Sequence, residues 1–340
     1  MALDAIDDVR RAWPTATIHL AVGSWNWQIA SLVPAVAHVH VADVPWLSRG
    51  ERPTSWRALI GEARGWRQLR YDMVINFEPD IRSNLIAWLS GAPVRVGYAS
   101  GGGGAFLTQT GTMDPARHVS ENARQLVAVA AGVSAFDTPA ATTPRLHPLP
   151  EHVATATSAL AGAHRPLIGL HVSGGRESKQ WHLDRFAAVA RRLSAETGAT
   201  IVLTGTRSDR PMIDAVIGQL DGVPTRIVAG ELDLPATAAL IAMFDLFVSS
   251  DTGPMHLASA MGVPVVALFG PSDPARYGPR ATAERILRVQ LSCSPCGQVR
   301  LPPERCRGHV PDCMDGISVD AVVEAAFELL SLRARQAAHT

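Results

Sequence analysis

A chain of 340 residues with 47% hydrophobic content has enough apolar surface for two ordinary domains, each with its own core. Its 31 basic residues balance its 31 acidic ones and are scattered, which argues against a nucleic-acid footprint. No stretch is apolar for long enough to suggest a membrane span, and the opening MALDAIDDVRRAWP is an acidic amphipathic helix pattern rather than a signal peptide. The expected location is therefore the cytoplasm, with peripheral contact to a membrane left open.

The first half alternates helical and strand patterns. A helix through Arg11 leads to a strand at 16–22, a short strand HVHVA at 38–42 and a helix at 56–66. YDMVINF at 71–77, a helix at 81–89 and the strand VRVGYA at 94–99 follow. Such βα repetition predicts a parallel sheet. Residues 100–112, SGGGGAFLTQTGT, break every periodicity and read as a mobile loop. The stretch 138–150, rich in Pro and Thr, reads as the connection between domains spanning 1–145 and 146–340.

The second half restarts with an apolar strand at 166–172, the turn SGGRESKQW and an amphipathic helix at 184–196. TIVLTG, a helix at 211–220, RIVAG and a helix at 235–243 come next. Residues 245–271, DLFVSSDTGPMHLASAMGVPVVALFGP, form a βαβ pattern of their own. Thr252 is placed to cap the helix, Pro254 sits in its first turn, and Gly262 closes it before Pro264. Exposed N–H groups at such a helix start attract an anion, usually phosphate. A last helix, 319–335, has the length to pack back on the first domain. Two doubly wound halves predict an α/β protein with its ligand in the cleft between them.

Lys179 is the only lysine among the 31 Lys+Arg residues, and it lies in the glycine-rich turn. A compact ammonium reaching one phosphate oxygen is not matched by a planar guanidinium, so Lys179 reads as an anion ligand, with chance as the bland alternative. The four cysteines, Cys293, Cys296, Cys306 and Cys313, also fall close together. Three readings compete: a tetrahedral metal held by thiolates, with His309 as a rival ligand; small side chains in an irregular loop; and a disulfide, disfavoured in a reducing compartment.

SSDTGPMHLASAMGVPVVALFGPSDPARYGP resembles glycosyltransferase family nine, the ADP-heptose:lipopolysaccharide heptosyltransferases. IGLHVSGGRESKQWHLDRFAAVARRL, YDMVINFEPDIRSNLIAWLSGAPVRVGY, the CSPC stretch and the ISVDAVVEA tail are similar to it as well, so the resemblance covers nearly the whole chain. It implies a GT-B fold, with two Rossmann-like domains facing a central cleft. It also implies inverting, metal-independent sugar transfer from a nucleotide diphosphate donor, ADP-linked by analogy with GDP-linked as the alternative, and no required cofactor. The acceptor would be a lipopolysaccharide core or a small molecule of specialised metabolism. A GT-B sugar-nucleotide epimerase and a non-catalytic sugar-nucleotide-binding homologue are the competing readings. Oligomeric state is not legible.

Carried onto this sequence, Ser173, Gly174 and Gly175 would face the donor phosphates, with Lys179 neutralising the leaving diphosphate. Asp251, Thr252, Gly253 and Pro254 would stand at the helix start, with His256 one turn on. Gly205, Thr206, Gly230 and Glu231 would flank the nucleoside. Positive charge and N–H donors suit this chemistry, because negative charge builds on the diphosphate while the sugar becomes oxocarbenium-like. The family's usual base is an aspartate after an N-terminal strand, and MALDAIDDVRRAWPTATIHLAV resembles the segment that follows it. A misassigned start, lost activity or a replacement base would each account for this. Glu78 and Asp80 are the replacement candidates, and Arg82, Ser83 and His118 the candidates to touch the acceptor.

Overall fold

Segments rich in Val, Ile and Leu become strands that pair in parallel, each described pair running in the same direction. The computed structural model describes residues 2–43, 55–137, 144–281, 283–297, 306 and 311–337, with the side chains of 336 and 337 left out. It divides into two units, Met1–Ala140 and Ala141–Thr340.

The first unit runs α1 (Leu3–Ala12), β1 (Ile18–Val22), α2 (Trp27–Ala30), β2 (Val36–Val41), α3 (Trp56–Gly65), β3 (Met73–Ile75), α4 (Ile81–Leu89), β4 (Val94–Tyr98), β5 (Gln109–Gly111) and α5 (Val119–Ala131). Its strands form two separate pieces, β1-β2 and β3-β4-β5. A buried ion pair ties α1 to α5: Arg124 Nε donates to Asp8 Oδ2 at 2.8 Å, with the Asp8 side chain fully covered. Ser120 Oγ on α5 also donates to Asp4 on α1.

The second unit continues with α6 (Pro150–Ala159), β6 (Leu167–His171), α7 (Leu183–Thr197), β7 (Thr200–Thr204), α8 (Arg210–Ile217), β8 (Thr225–Ile227) and α9 (Leu234–Ala242). Then come β9 (Leu246–Ser250), α10 (Gly253–Ala260), β10 (Val265–Leu268), α11 (Pro274–Tyr277), β11 (Glu284–Leu287), α12 (Asp312–Asp315) and α13 (Val319–Ala337). One sheet of order β11-β10-β9-β6-β7-β8 results, with the first strand at its centre. Every residue of β6, β7, β9 and β10 is buried, as expected of parallel strands covered on both faces. Apolar residues of α7, α8 and α13 share one core with the sheet, including Phe186, Leu193, Ile213, Val322 and Leu329. Trp181, fully buried, meets Phe186 edge-on at 4.9 Å and donates its Nε1–H to Ile317 O at 3.1 Å.

The two pieces of the first sheet correspond to the two sides of the second: β2-β1 to β8-β7, and β3-β4-β5 to β9-β10-β11. Among the described residues no strand lies between β1 and β3, the place that β6 fills in the second unit. The strands of the first unit are correspondingly less covered, β1 and β3 having no buried residue.

Residues 100–112 depart from the expected mobile loop. They contain a short helical turn, Gly104–Phe106, and the edge strand β5. Gly101 packs so closely on Pro79 that a Cβ would come within 2.0 Å of the Pro79 carbonyl oxygen, so the glycines allow close packing. Of the expected connection, residues 138–143 lie outside the described residues, while Leu146 is buried and Pro150 begins α6.

Candidate active site

Parallel strands end on one edge of their sheet, and the predicted donor residues of the second unit all follow such ends. After β6, Ser173 and Gly174 are buried and Gly175 is exposed with φ +66°. Gly174 is required by contact, since a Cβ there would lie 2.6 Å from Gln180 N. Gln180 locks the turn: its Oε1 accepts from Gly174 N–H at 2.7 Å, while its Nε2 donates to Val172 O and Trp181 O at 2.7 and 2.8 Å.

After β9, Asp251 and Thr252 lead into α10. Thr252 holds the N-cap position, but its side chain makes no capping hydrogen bond. Its hydroxyl instead pairs with Ser249 Oγ at 2.9 Å, which corrects the expected side-chain cap. The first-turn N–H groups of α10 thus keep their capacity to meet an anion. The two turns are neighbours, since a Cβ on Gly175 would lie 4.0 Å from Thr252 Cγ2. Gly253 has open space in front of it.

Lys179 joins the two turns. Its Nζ donates to Asp251 O at 2.6 Å and meets Asp251 Oδ2 at 3.1 Å, both side chains being mostly covered. His256 Nε2 stands 3.9 Å from Asp251 Oδ1. The ammonium, the carboxylate and the start of α10 are therefore one cluster.

The turns after β7 and β8 are joined by Gly230 N–H donating to Gly205 O at 3.0 Å. Thr206 and Glu231 are exposed beside them. Two residues missed in the sequence organise this side. Asp209 accepts from Thr206 N–H and pairs with Thr206 Oγ1, each at 2.7 Å, and Ser173 also bonds to it. Burial pushes the Asp209 carboxyl up, but these hydrogen bonds outweigh it and hold its pKa below the usual aspartate value. His171, buried at the end of β6, lies 3.3 Å from Thr204 Oγ1, and burial lowers its pKa. The spacing Thr206-x-x-Asp209 is that of a capping box and was the available signal. Nothing in the spacing marked His171.

In the first unit, Glu78 and Asp80 follow β3 in a turn pinned by Asn76 and the buried Asn84. Asn76 Nδ2 donates to Asn84 Oδ1 at 2.8 Å and to Glu78 O at 3.0 Å. Asn84 Nδ2 donates to Tyr98 O at 3.0 Å and Gly102 O at 2.9 Å. Asp80 caps α4 and is engaged by Arg82 through Nε at 2.8 Å and Nη2 at 2.6 Å, which holds its carboxyl below the usual range. Glu78 is exposed as a residue, yet the groups packed about its carboxyl, and then the Asp80 charge, raise its pKa. Ser83 lies half-buried in the first turn of α4. His118 caps α5, its Nδ1 accepting from Ser120 N–H at 3.1 Å.

Among the described residues no three His, Cys, Asp or Glu side chains are grouped to hold a metal. His309 lies outside the described residues. No described helix is long and apolar enough to cross a membrane.

Solved structures share this architecture. The glycosyltransferase family 9 protein from Veillonella parvula DSM 2008 has a TM-score of 0.82 and 25% identity, covering 97% of this chain and 92% of that one. E. coli ADP-heptose lipopolysaccharide heptosyltransferase II has a TM-score of 0.76 and 21% identity, covering 97% of this chain and 94% of the other. The fold is thus the two-domain GT-B type. The model of glycosyltransferase family 9 (heptosyltransferase) matches residues 62–303, more than half the chain, and the chain belongs to that family. Lipopolysaccharide heptosyltransferase 2 of Escherichia coli K12 is 26% identical over 295 residues, 82% of this chain and 80% of that protein. Lipopolysaccharide heptosyltransferase 1 of Pseudomonas aeruginosa is 27% identical over 320 residues, 86% and 81% respectively. The chain is a glycosyltransferase that uses a nucleotide sugar.

Proposed function

We propose that the chain transfers a heptose-like sugar, with inversion, from an ADP-linked donor to a hydroxyl of a carbohydrate acceptor. The observation that carries this reading is Lys179, whose ammonium bonds the Asp251 carbonyl and carboxylate at the junction of two glycine turns and the start of α10. Donor phosphate would be met by the N–H groups of α10 and of the Ser173–Gly174–Gly175 turn. Lys179 would turn from Asp251 to the diphosphate as negative charge develops there. Charge placed in advance at that point stabilises the transition state more than the bound substrate. Asp209 would hold Ser173 and Thr206 in register, leaving Gly205, Gly230 and Glu231 to flank the nucleoside. The choice of ADP is supported by the E. coli heptosyltransferase WaaC structure, which was solved with ADP. A lipopolysaccharide-type acceptor is supported by the names of the relatives.

For the acceptor hydroxyl, Glu78 is the better base of the two predicted carboxylates. Asp80 has its oxygens occupied by Arg82 and its proton affinity lowered, whereas Glu78 has its raised, which brings it nearer the range a general base needs. The experiment is transfer from ADP-heptose to a deacylated core oligosaccharide, followed by ADP release and by the anomeric configuration of the product. Acceptor-dependent ADP release with an inverted product is expected. Hydrolysis without acceptor dependence, or a retained configuration, would contradict the reading.

A further inference from the structure

Outside the candidate site, titratable side chains gather on one face of the β1-β2 pair. In β2 the alternation HVHV puts His38 and His40 on the same face, and the register sets His19 of β1 against His38 and Ala21 against His40. The His19 ring centroid lies 4.5 Å from that of His38 and 5.1 Å from that of His40. Tyr71 joins them from the segment just before β3, and the ring of Trp66, which follows α3, lies 5.9 Å from that of His40. His19, His40 and Tyr71 are half-buried and His38 is exposed. The proposed transfer uses none of them.

Three atoms of this cluster form a closed triangle. His19 Nδ1 lies 2.9 Å from His40 Nε2, and the Tyr71 hydroxyl lies 2.9 Å from the first and 3.0 Å from the second. Because His19 stands in β1 and Tyr71 just before β3, the triangle ties together the two pieces of the first sheet. Among the described residues no strand lies between β1 and β3 to join them through backbone hydrogen bonds. The triangle holds a limited number of protons. One of the two nitrogens has to present its lone pair, because an imidazole N–H only donates. A proton gained by one ring leaves the other free to accept. After a second, two N–H groups face each other across the same gap, and the Tyr71 hydroxyl has no nitrogen to donate to.

We propose that His19, His40 and Tyr71 form a proton-operated latch in the first sheet, closed while one of the two imidazoles keeps a bare nitrogen toward the other and released when both are protonated. Burial first, and then neighbouring imidazoles, lower the pKa of both rings. The charges acting on His19 are those of His38 and His40, and the charge acting on His40 is that of His38; among the described residues no carboxylate opposes them. Burial raises the Tyr71 pKa, so its hydroxyl keeps its proton while the imidazoles titrate. The neutral rings are therefore favoured in the folded chain. Their contribution to stability is present above the ordinary histidine pKa and is lost as pH falls through the lowered values. Release unties β1 from β3, and β3 leads into the turn of Glu78 and Asp80. Any consequence for transfer, unlike the latch itself, rests on the reading of Glu78 given above.

The test uses the full chain with isotope-labelled histidine, titrated by NMR from about pH 8 to about pH 5, with amide hydrogen exchange followed as protection factors over the same range. His19 and His40 should titrate in two coupled steps below the ordinary histidine value of about 6.5. Protection of the β1 and β3 amides should fall about tenfold as the second proton enters, the worth of a hydrogen bond or two, while that of β6 and β9 holds. Tyr71→Phe keeps the ring and removes the hydroxyl, and should show the lower protection already at the alkaline end. His19→Asn combined with His40→Gln puts neutral amides in place of the two rings and should abolish the pH dependence. Should a variant fail to fold, the titration and exchange of the unaltered chain still decide. Independent titration of the two rings at or above the ordinary value would overturn the proposal. So would protection in β1 and β3 that stays constant while both rings become charged. Neither readout involves donor or acceptor, so failure of the latch is told apart from failure of the proposed transfer, which ADP release measures.

Discussion

At the scale of single residues, the account rests on charges placed before substrate arrives. Lys179→Ala should lower kcat by about 10²–10³-fold, the effect of removing one preorganised donor from developing negative charge, as measured by steady-state ADP release. Lys179→Arg should not restore it, because the contact with Asp251 suits a compact ammonium. Asp209 touches neither phosphate nor sugar in this account. Asp209→Ala should therefore raise the donor KM about tenfold, the worth of one or two hydrogen bonds, and leave kcat nearly unchanged. For Glu78 the sign is fixed by its raised pKa. The acidic limb of the pH profile of kcat/KM should lie above the usual glutamate value and vanish in Glu78→Gln. A carboxyl whose folded pKa is raised favours folding below its unfolded pKa and loses that contribution as pH rises through the folded value. Glu78→Gln should therefore not destabilise the protein at neutral pH, which separates a catalytic loss from an unfolding one.

At the scale of elements, sheet order explains both what was legible and what was not. Strands β6, β7, β9 and β10 are built on short apolar runs (LIGL, IVL, LFV and VVAL), the signature of buried parallel strands, and the structure places them where those runs lie. The α4 boundaries, Ile81–Leu89, coincide with the predicted helix, and in the structure Asp80 caps it. By contrast YDMVINF yields a strand only at Met73–Ile75, where among the described residues β3 pairs on one edge alone. The edge strand β5 was hidden among glycines. Among the described residues β1 and β3 each pair on one side only, and this should show in hydrogen exchange, with their amides exchanging well before those of β6 and β9. A further strand paired between β1 and β3, as β6 pairs in the second unit, would slow them. The clamp between α1 and α5 is a second element-level feature. Asp8→Ala leaves Arg124 buried without its main partner and should cost about 3–5 kcal/mol, read from denaturant midpoints.

At the scale of the whole molecule, the residues of the proposed donor half were legible in the sequence because they follow strand ends, where a glycine, a helix start and one lysine mark them in order. Of the residues that brace them, Gln180 and Asp209 bond to turn residues close by in the chain, Asp209 with a capping-box spacing that could have marked it. His171, by contrast, meets Thr204 on another strand and Asp209 reaches back to Ser173, contacts that no local spacing announces. The acceptor half was less legible for the same reason. Asp80 and Glu78 look equivalent in NFEPD, and only the fold shows that Arg82 holds one and leaves the other. The central claim is that the second unit holds the diphosphate of an adenine nucleotide through Lys179 and the start of α10. Calorimetric titration of the full chain with ADP, GDP and UDP, repeated on Lys179→Ala, tests it most directly. The account predicts saturable binding of ADP in preference to the other two, weakened at least tenfold by the substitution. Binding that ignores the substitution, or no binding of any of the three, would contradict it.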